Sequence, residues 1–285
     1  MPFKRPDTPP AQQAAPGTPG TLPSAAQERV ARLAAREHQD NAAFTSDLSV
    51  NEFVLVHQLG FDPVGYVMGT SIYHVGFQAQ RWNRSMELDV LTSAMQEARY
   101  LAIERMRTEA HALGADGVVG VHLKIQRYAW QNGEMEFIAE GTAVRAREPN
   151  PSYKLRDGGP FTSDLSGQDF YTLVRHGHFP RAFVFGVCVY HVAAQSMRQN
   201  FSMAGRNMEV PNFTEATYTA RELAMTRMED EANRANADGI VGVTTNVNAH
   251  IWGEHATEFL SIGTGVVSSP EVVTDPPTMT LSLDD

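Results

Sequence analysis

His74 and His191 have the clearest claim to metal chemistry, because each closes a strand-like segment, GYVMGTSIYHV (65–75) and AFVFGVCVYHV (182–192), at the same place in two related stretches. Neutral imidazole ligates borderline cations, and subunits set in a ring would gather such histidines. A hydrogen-bonded strand-end histidine at an interface is the plainer reading. Soft heavy metals favour thiolate and thioether. The single cysteine, Cys188, has Ser71 as its counterpart, so no thiol site is duplicated, and one chain can hold neither a disulfide framework nor a multi-cysteine cluster. His176 and His178 form an H-G-H run where the first stretch has Leu59 and Phe61, and read as a solvated turn.

Other residue groups could bind a ligand. His122, Lys124 and Gln126 alternate with apolar residues on one strand, and Thr244, Asn246, Asn248 and His250 do so on its counterpart. These rows would line a polar groove or ring lumen, or face solvent. Within GADGVVG, Gly114, Gly117 and Gly120 suggest a phosphate loop, but they follow a helix and enter a strand, whereas a cradle needs a helix N-terminus facing the anion. Asp116 and Asp238 fit turn capping, Glu136 and Glu258 lie on strands, and Trp130 and Trp252 beside hairpin turns fit packing. No Ser-His-Asp, Cys-His or paired-carboxylate set recurs in both stretches, so the chain reads as a non-enzyme.

The elements that must position these residues are duplicated. FTSDLS occurs at 44–49 and again at 161–166, and the register persists through Gly60/Gly177, Pro63/Pro180, Gly69/Gly186 and His74/His191. Beyond an insertion in the second copy it resumes at Arg99/Arg221, Met106/Met228, Glu109/Glu231, Asp116/Asp238, Phe137/Phe259 and Thr142/Thr264. Two tandem copies of one domain follow. Each copy opens with a capping-box pattern, Ser49 with Glu52 and Ser166 with Asp169, which fits a short helix, although the β-branched residues of FVLVHQ leave a strand open. A strand follows, then a long helix whose apolar residues recur at three and four positions and which ends at Gly114 or Asn236, the types that best tolerate the left-handed conformation. Two alternating strands then form a hairpin turning near 131–133 or 253–255. In the long strand, Val119, Val121, Leu123 and Ile125 are expected to form one apolar row.

The predicted class is α+β: each repeat is a short helix plus β-α-β-β, with the long helix on a three-stranded antiparallel sheet. The expected divisions are a disordered arm over 1–43, repeat 1 over 44–146, a linker over 147–160, repeat 2 over 161–267 and a disordered acidic tail over 268–285. The arm carries seven of the sixteen prolines and lacks the composition to build a core; within it, ERVARLAAREHQ (28–39) is a marginal helix.

The order of motifs resembles the YbjQ-like, or heavy-metal-binding domain, family: the long helix ending in A-D-G, the strand (V/I)-V-G-V, the closing G-T-(A/G)-V and the G-x-x-P strand entry, twice over. The resemblance covers about 44–145 and 161–267. It implies a dodecin-like β-α-β-β fold and association as pentameric rings, although the usual member carries one copy.

The segment AFVFGVCVYHV is apolar on both faces: Phe183, Phe185, Val187 and Val189 on one, Val184, Cys188, Tyr190 and Val192 on the other. One helix covers one face, so a second sheet, from the sister repeat or another chain, is expected on the other. Self-association follows, in a ring-forming structural or interaction module, with a metal- or small-ligand-binding protein as the alternative and no cofactor indicated. A net charge of -10 argues against nucleic acid and anionic membranes. The absence of a spanning run or an apolar signal core, with one cysteine, points to a cytoplasmic protein. A protein partner through the tails is the remaining expectation.

Overall fold

The computed structural model describes residues 21–37, 43–74, 85–127, 134–148, 153, 155, 157–193, 209–249 and 256–268. The hairpin turns with Trp130 and Trp252, His250, and most of both tails lie outside the described residues.

The two copies build the same α+β unit. Ser49 caps α2 (Val50–Gln58), accepting from Glu52 N while the Glu52 carboxylate accepts from Ser49 N at 2.8 Å, a complete capping box. Ser166 caps α4 (Gly167–Arg175), but the shorter Asp169 meets the Ser166 hydroxyl instead of its backbone. Gly60 (φ +86°) and Gly177 (φ +75°) turn the chain out of these helices into β1 (Phe61–His74) and β6 (His178–His191). The long helices, α3 (Asp89–Ala112) and α5 (Pro211–Arg234), end at Gly114 and Asn236, both left-handed. The hairpins β3 (Gly117–Arg127)/β4 (Glu134–Ala146) and β7 (Gly239–Ala249)/β8 (Ala256–Ser268) complete the units.

Each antiparallel three-stranded sheet gains a fourth strand from the opposite repeat. The start of repeat 2, β5 (Phe161–Thr162), runs parallel to β3, and β2 (Met86–Glu87), just before α3, runs antiparallel to β6. The strand orders are β1-β4-β3-β5 and β2-β6-β8-β7.

Two features differ from the sequence reading of the strands. A register shift between Val119 and His122, around left-handed Gly120, breaks the expected row. Val119 packs with Phe61, Val144 and Phe161 on one side of the sheet, while Val118, Val121, Leu123 and Ile125 face the core under α3. On β6, Val184 and Cys188 lie beneath α5, against Met228 and Ala224, and the Phe183–Val189 row joins Leu91, Met95 and Ile103 of α3 in one core. The cover required by the two apolar faces is thus supplied by the sister repeat, by its long helix in place of the expected second sheet. α3 is buried on two sides.

The arm reading is corrected over part of its length. Ser24–Glu37 forms α1, which packs on repeat 1. Val30 is buried, Leu22 and Leu33 pack on the same core, and Arg29 bonds both Glu109 (2.8 Å) and the Tyr66 carbonyl. A short amphipathic helix that is marginal alone becomes stable once tertiary contact covers its apolar side.

Candidate functional site

The densest polar construction among the described residues is the seam where repeat 1 meets repeat 2. A bare sheet edge presents unpaired backbone groups, and repeat 1 covers the outer edge of β6 residue by residue. Leu88 N donates to Val189 O (2.8 Å), Val189 N donates to the Thr92 hydroxyl (2.9 Å), and Val187 N donates to the Gln96 side-chain oxygen (3.3 Å). Arg227 forks onto Glu87 at 2.7 and 3.0 Å and also reaches Val187 O.

At the centre Arg99 (1% exposed) pairs with Glu258 (0% exposed) at 2.6 Å. The guanidinium also bonds Met95 O and lies over the Phe137 ring, and Asn248 donates to the second Glu258 oxygen. Glu231, from α5, accepts from Gln96 at 2.8 Å, from the Tyr100 hydroxyl and from Phe185 N at 3.1 Å. Burial outweighs these donors and raises its pKa to about 7. Its counterpart Glu109 keeps the matching backbone donor, Met68 N at 3.0 Å, and has an arginine, Arg29, in place of the neutral side-chain donors.

An acid whose folded pKa stands above its ordinary 4.5 keeps its proton in the folded chain where the unfolded chain has released it. The associated stability is therefore complete below pH 4.5 and lost as pH rises towards and through about 7. We expect about 3 kcal/mol of pH-dependent stability from this group, abolished in Glu231→Gln. Urea unfolding at a series of pH values checks this, and an unchanged slope in the variant would assign the dependence elsewhere.

The seam has a second part. Phe161 N donates to Asp116 O, Ser163 N to Val118 O and Val121 N to Ser163 O, laying the FTSDLS segment of repeat 2 along β3. The Phe161 ring lies over Gly117, where a Cβ would overlap it, and forms a three-ring group with Phe61 and Phe170. Gly167 N donates to Glu52 at 3.0 Å, joining α4 to α2.

The predicted site residues are dispersed around this seam. His74 is exposed at the end of β1, whereas His191, in the other sheet, is buried where β6 pairs with Met86. Among the described residues no three His, Cys, Asp or Glu side chains cluster with metal-binding geometry. Cys188 is buried beside α5, its thiol pushed up to about 12 by burial, the wrong state for a soft-metal ligand. His122 and Lys124 are exposed on repeat 1, with Lys124 bonded to Glu140. Asn246 is exposed and Asn248 belongs to the Arg99–Glu258 group. Arg99, Glu231 and Tyr100 were not among the predicted site residues; an arginine repeated within an apolar helix face, Arg99 and Arg221, is the signal that marks the first of them.

A cavity of about 690 Å³ opens beside the seam, lined by Tyr100, Ile103, Arg107, Phe183, Glu231 and Arg234 among others. The matching place on repeat 1, beside Tyr66 and Glu109, is where α1 docks. Among the described residues one such helix serves two repeats, and the matching groove on repeat 2 is open.

The repeat ends that lack a sister carry exposed apolar residues at positions buried within the seam. Met68 (41% exposed) and Ile72 (59%) on β1 correspond to Phe185 and Val189, both fully buried. Phe213 (40%) on α5 corresponds to Leu91 (2%), and Phe44 (46%) to Phe161 (0%).

A family model described as "Putative heavy-metal-binding", the YbjQ-like family, matches residues 64–147 and 182–269, one match per repeat. The encapsulin nanocompartment protein Rv1762c of Mycobacterium tuberculosis is 47% identical over 242 residues, covering 85% of this chain and 92% of that protein. A UPF0145 protein of Thermosipho africanus is 36% identical over 92 residues, covering 30% of this chain and 83% of its own length. A UPF0145 protein of Pseudomonas putida is 34% identical over 89 residues, again covering 30% of this chain and 84% of its own length. Single-repeat relatives and a relative spanning both repeats thus agree with the internal duplication, and the chain belongs to the YbjQ-like family as a tandem pair of its domains.

Proposed function

We propose that this protein is a non-catalytic, self-assembling structural module of the cytoplasm, active as a homo-oligomer with a ring as its closed form. The observation that carries the reading is the mismatch between the seam and the ends: surfaces built to meet a sister repeat stand exposed on the outer side of each repeat. The name of the tandem relative, an encapsulin nanocompartment protein, supports an assembly role. Among the described residues no helix is long and apolar enough to cross a membrane.

Replacing Met68, Ile72, Phe213 and Tyr218 by serine removes exposed apolar surface without touching the internal seam. The expected result is a shift in sedimentation velocity from an oligomer to the single chain, with an unchanged circular dichroism spectrum. An oligomer that survives all four changes would overturn the reading.

A second reading, a small-ligand protein with sites at repeat interfaces, is favoured by the cavity beside Glu231. Metal binding by His74 and His191, or ligand contact by His122, Lys124, Asn246, Asn248 and His250, belongs to that reading. Elemental analysis and native mass of the same purified sample test it.

A further inference from the structure

We infer that copies of this chain join head to tail, the α5 side of one copy seating on the β1 side of the next in the register by which α3 seats on β6 within the chain. The inference rests on the assembly reading and specifies its contact.

The internal duplication supplies the argument. When a chain carries two copies of a unit and shows how the first docks on the second, it also displays the second copy's docking face and the first copy's receiving face. Each partner in the seam can therefore be carried to its counterpart. Arg99, buried against Glu258, corresponds to Arg221, which is exposed on α5 and lies over the Tyr218 ring. Glu258 corresponds to Glu136, half-buried on β4 and paired in register with Ile72, as Glu258 is with Val189. Opposite charges thus stand at matching positions on the two ends, so that Arg221 of one copy meets Glu136 of the next. Thr214 corresponds to Thr92 and would accept from Ile72 N as Thr92 accepts from Val189 N.

The second part of the seam gives the same register independently. Phe161 fills the space over Gly117, but a Cβ built on the matching Gly239 meets nothing within 4 Å. The ring that belongs there is Phe44. It is already stacked on Phe53 at 5.7 Å, as Phe161 is on Phe170 at 5.8 Å, and stands exposed. Val243, exposed on β7, matches Val121, which is buried where its N–H meets Ser163. A Phe44–Ser46 segment from the next copy would cover it.

Three positions with seam contacts depart from the pattern and shape the contact, and at the first of them Gln96, which joins Val187 N to Glu231, is replaced by Tyr218. Tyr100, which donates to Glu231, is replaced by Glu222, and a carboxylate there would face Glu109 of the next copy. Arg29 of α1 already bonds Glu109 and would stand between the two acids. Gly167, whose missing side chain lets Glu52 approach, is replaced by Val50, so α4 and the incoming α2 must stand further apart. Because each chain contributes two repeats, a ring closed through this contact holds an even number of them, and the five-repeat ring implied by the family resemblance cannot form from whole chains.

Charge reversal tests the register on the full chain by sedimentation velocity. Arg221→Glu alone and Glu136→Arg alone should each reduce the oligomer to single chains, because every contact then sets like charges together. An equimolar mixture of the two variants should restore it, since alternating chains recover opposite charges at each contact, and both changes in one chain should do the same. Gly239→Val should keep the circular dichroism spectrum of the parent chain, yet lose the oligomer by blocking the Phe44 seat. A wild-type chain that sediments as a monomer overturns both the assembly reading and this contact. An oligomer untouched by either charge reversal, not restored by mixing, or indifferent to Gly239→Val overturns the contact and leaves the assembly reading standing.

Discussion

Replacing Arg99 by alanine is expected to destabilise the chain by about 3–5 kcal/mol, because it strands the Glu258 carboxylate in an interior that offers it little else. Glu258 is fully buried, and its remaining side-chain donor is Asn248, at 3.4 Å. The loss falls on the joint between the repeats, so the unfolding transition should broaden or split as repeat 2 uncouples from repeat 1. Arg99→Met combined with Glu258→Leu removes both charges while keeping volume, and should recover most of the stability. Urea unfolding followed by circular dichroism checks the series. A cost below about 1 kcal/mol for Arg99→Ala, the range of an exposed pair, would show that the pair is not buried in solution.

Gly186→Ala is expected to cost about 3 kcal/mol, at the upper end of the overpacking range. Its Cβ would overlap the carbonyl oxygen of Ala224 and come within 2.7 Å of Met228 N, so the obstacle is helix backbone and no rotamer relieves it. Gly69→Ala meets the same obstacle at Ala102 O and Met106 N. Either change forces a long helix off its sheet. Gly239→Ala made in the Arg221→Glu single chain is the control, since its surroundings are open within the chain, and its thermal midpoint should stay near that of Arg221→Glu. Equal midpoint shifts for all three variants, each against its own parent, would contradict the close helix–strand approach.

The units were legible in the sequence because their signals are local and written twice. The Ser49–Glu52 box, the helix ends at Gly114 and Asn236 and the both-sided apolar pattern of β6 each depend on residues close in the chain, and the second copy confirms the first. What escaped depends on partners far apart. Arg99 and Glu258 are 159 positions apart, and each was visible as a repeated residue, but pairing across repeats instead of within one is a property of the docked units. The extra strands β2 and β5 are two residues long, too short for any periodicity. The shift at Gly120 looks like an ordinary glycine in a strand until the ladder shows Val119 and Val121 on opposite sides. Composition undervalues the helix α1, because it measures what a segment can do alone and not what repeat 1 does for it. The histidines, selected by register, occupy equivalent strand ends with unlike surroundings, one exposed and one beneath the seam.

The central claim is that the contact between repeats is used again between chains. Native mass spectrometry of the purified full chain at micromolar concentration tests it most directly. The account predicts whole-number multiples of the 31.4 kDa chain as the dominant species, falling to the single-chain mass in Arg221→Glu and returning when that variant is mixed with Glu136→Arg. A wild-type spectrum showing only the 31.4 kDa chain would contradict it.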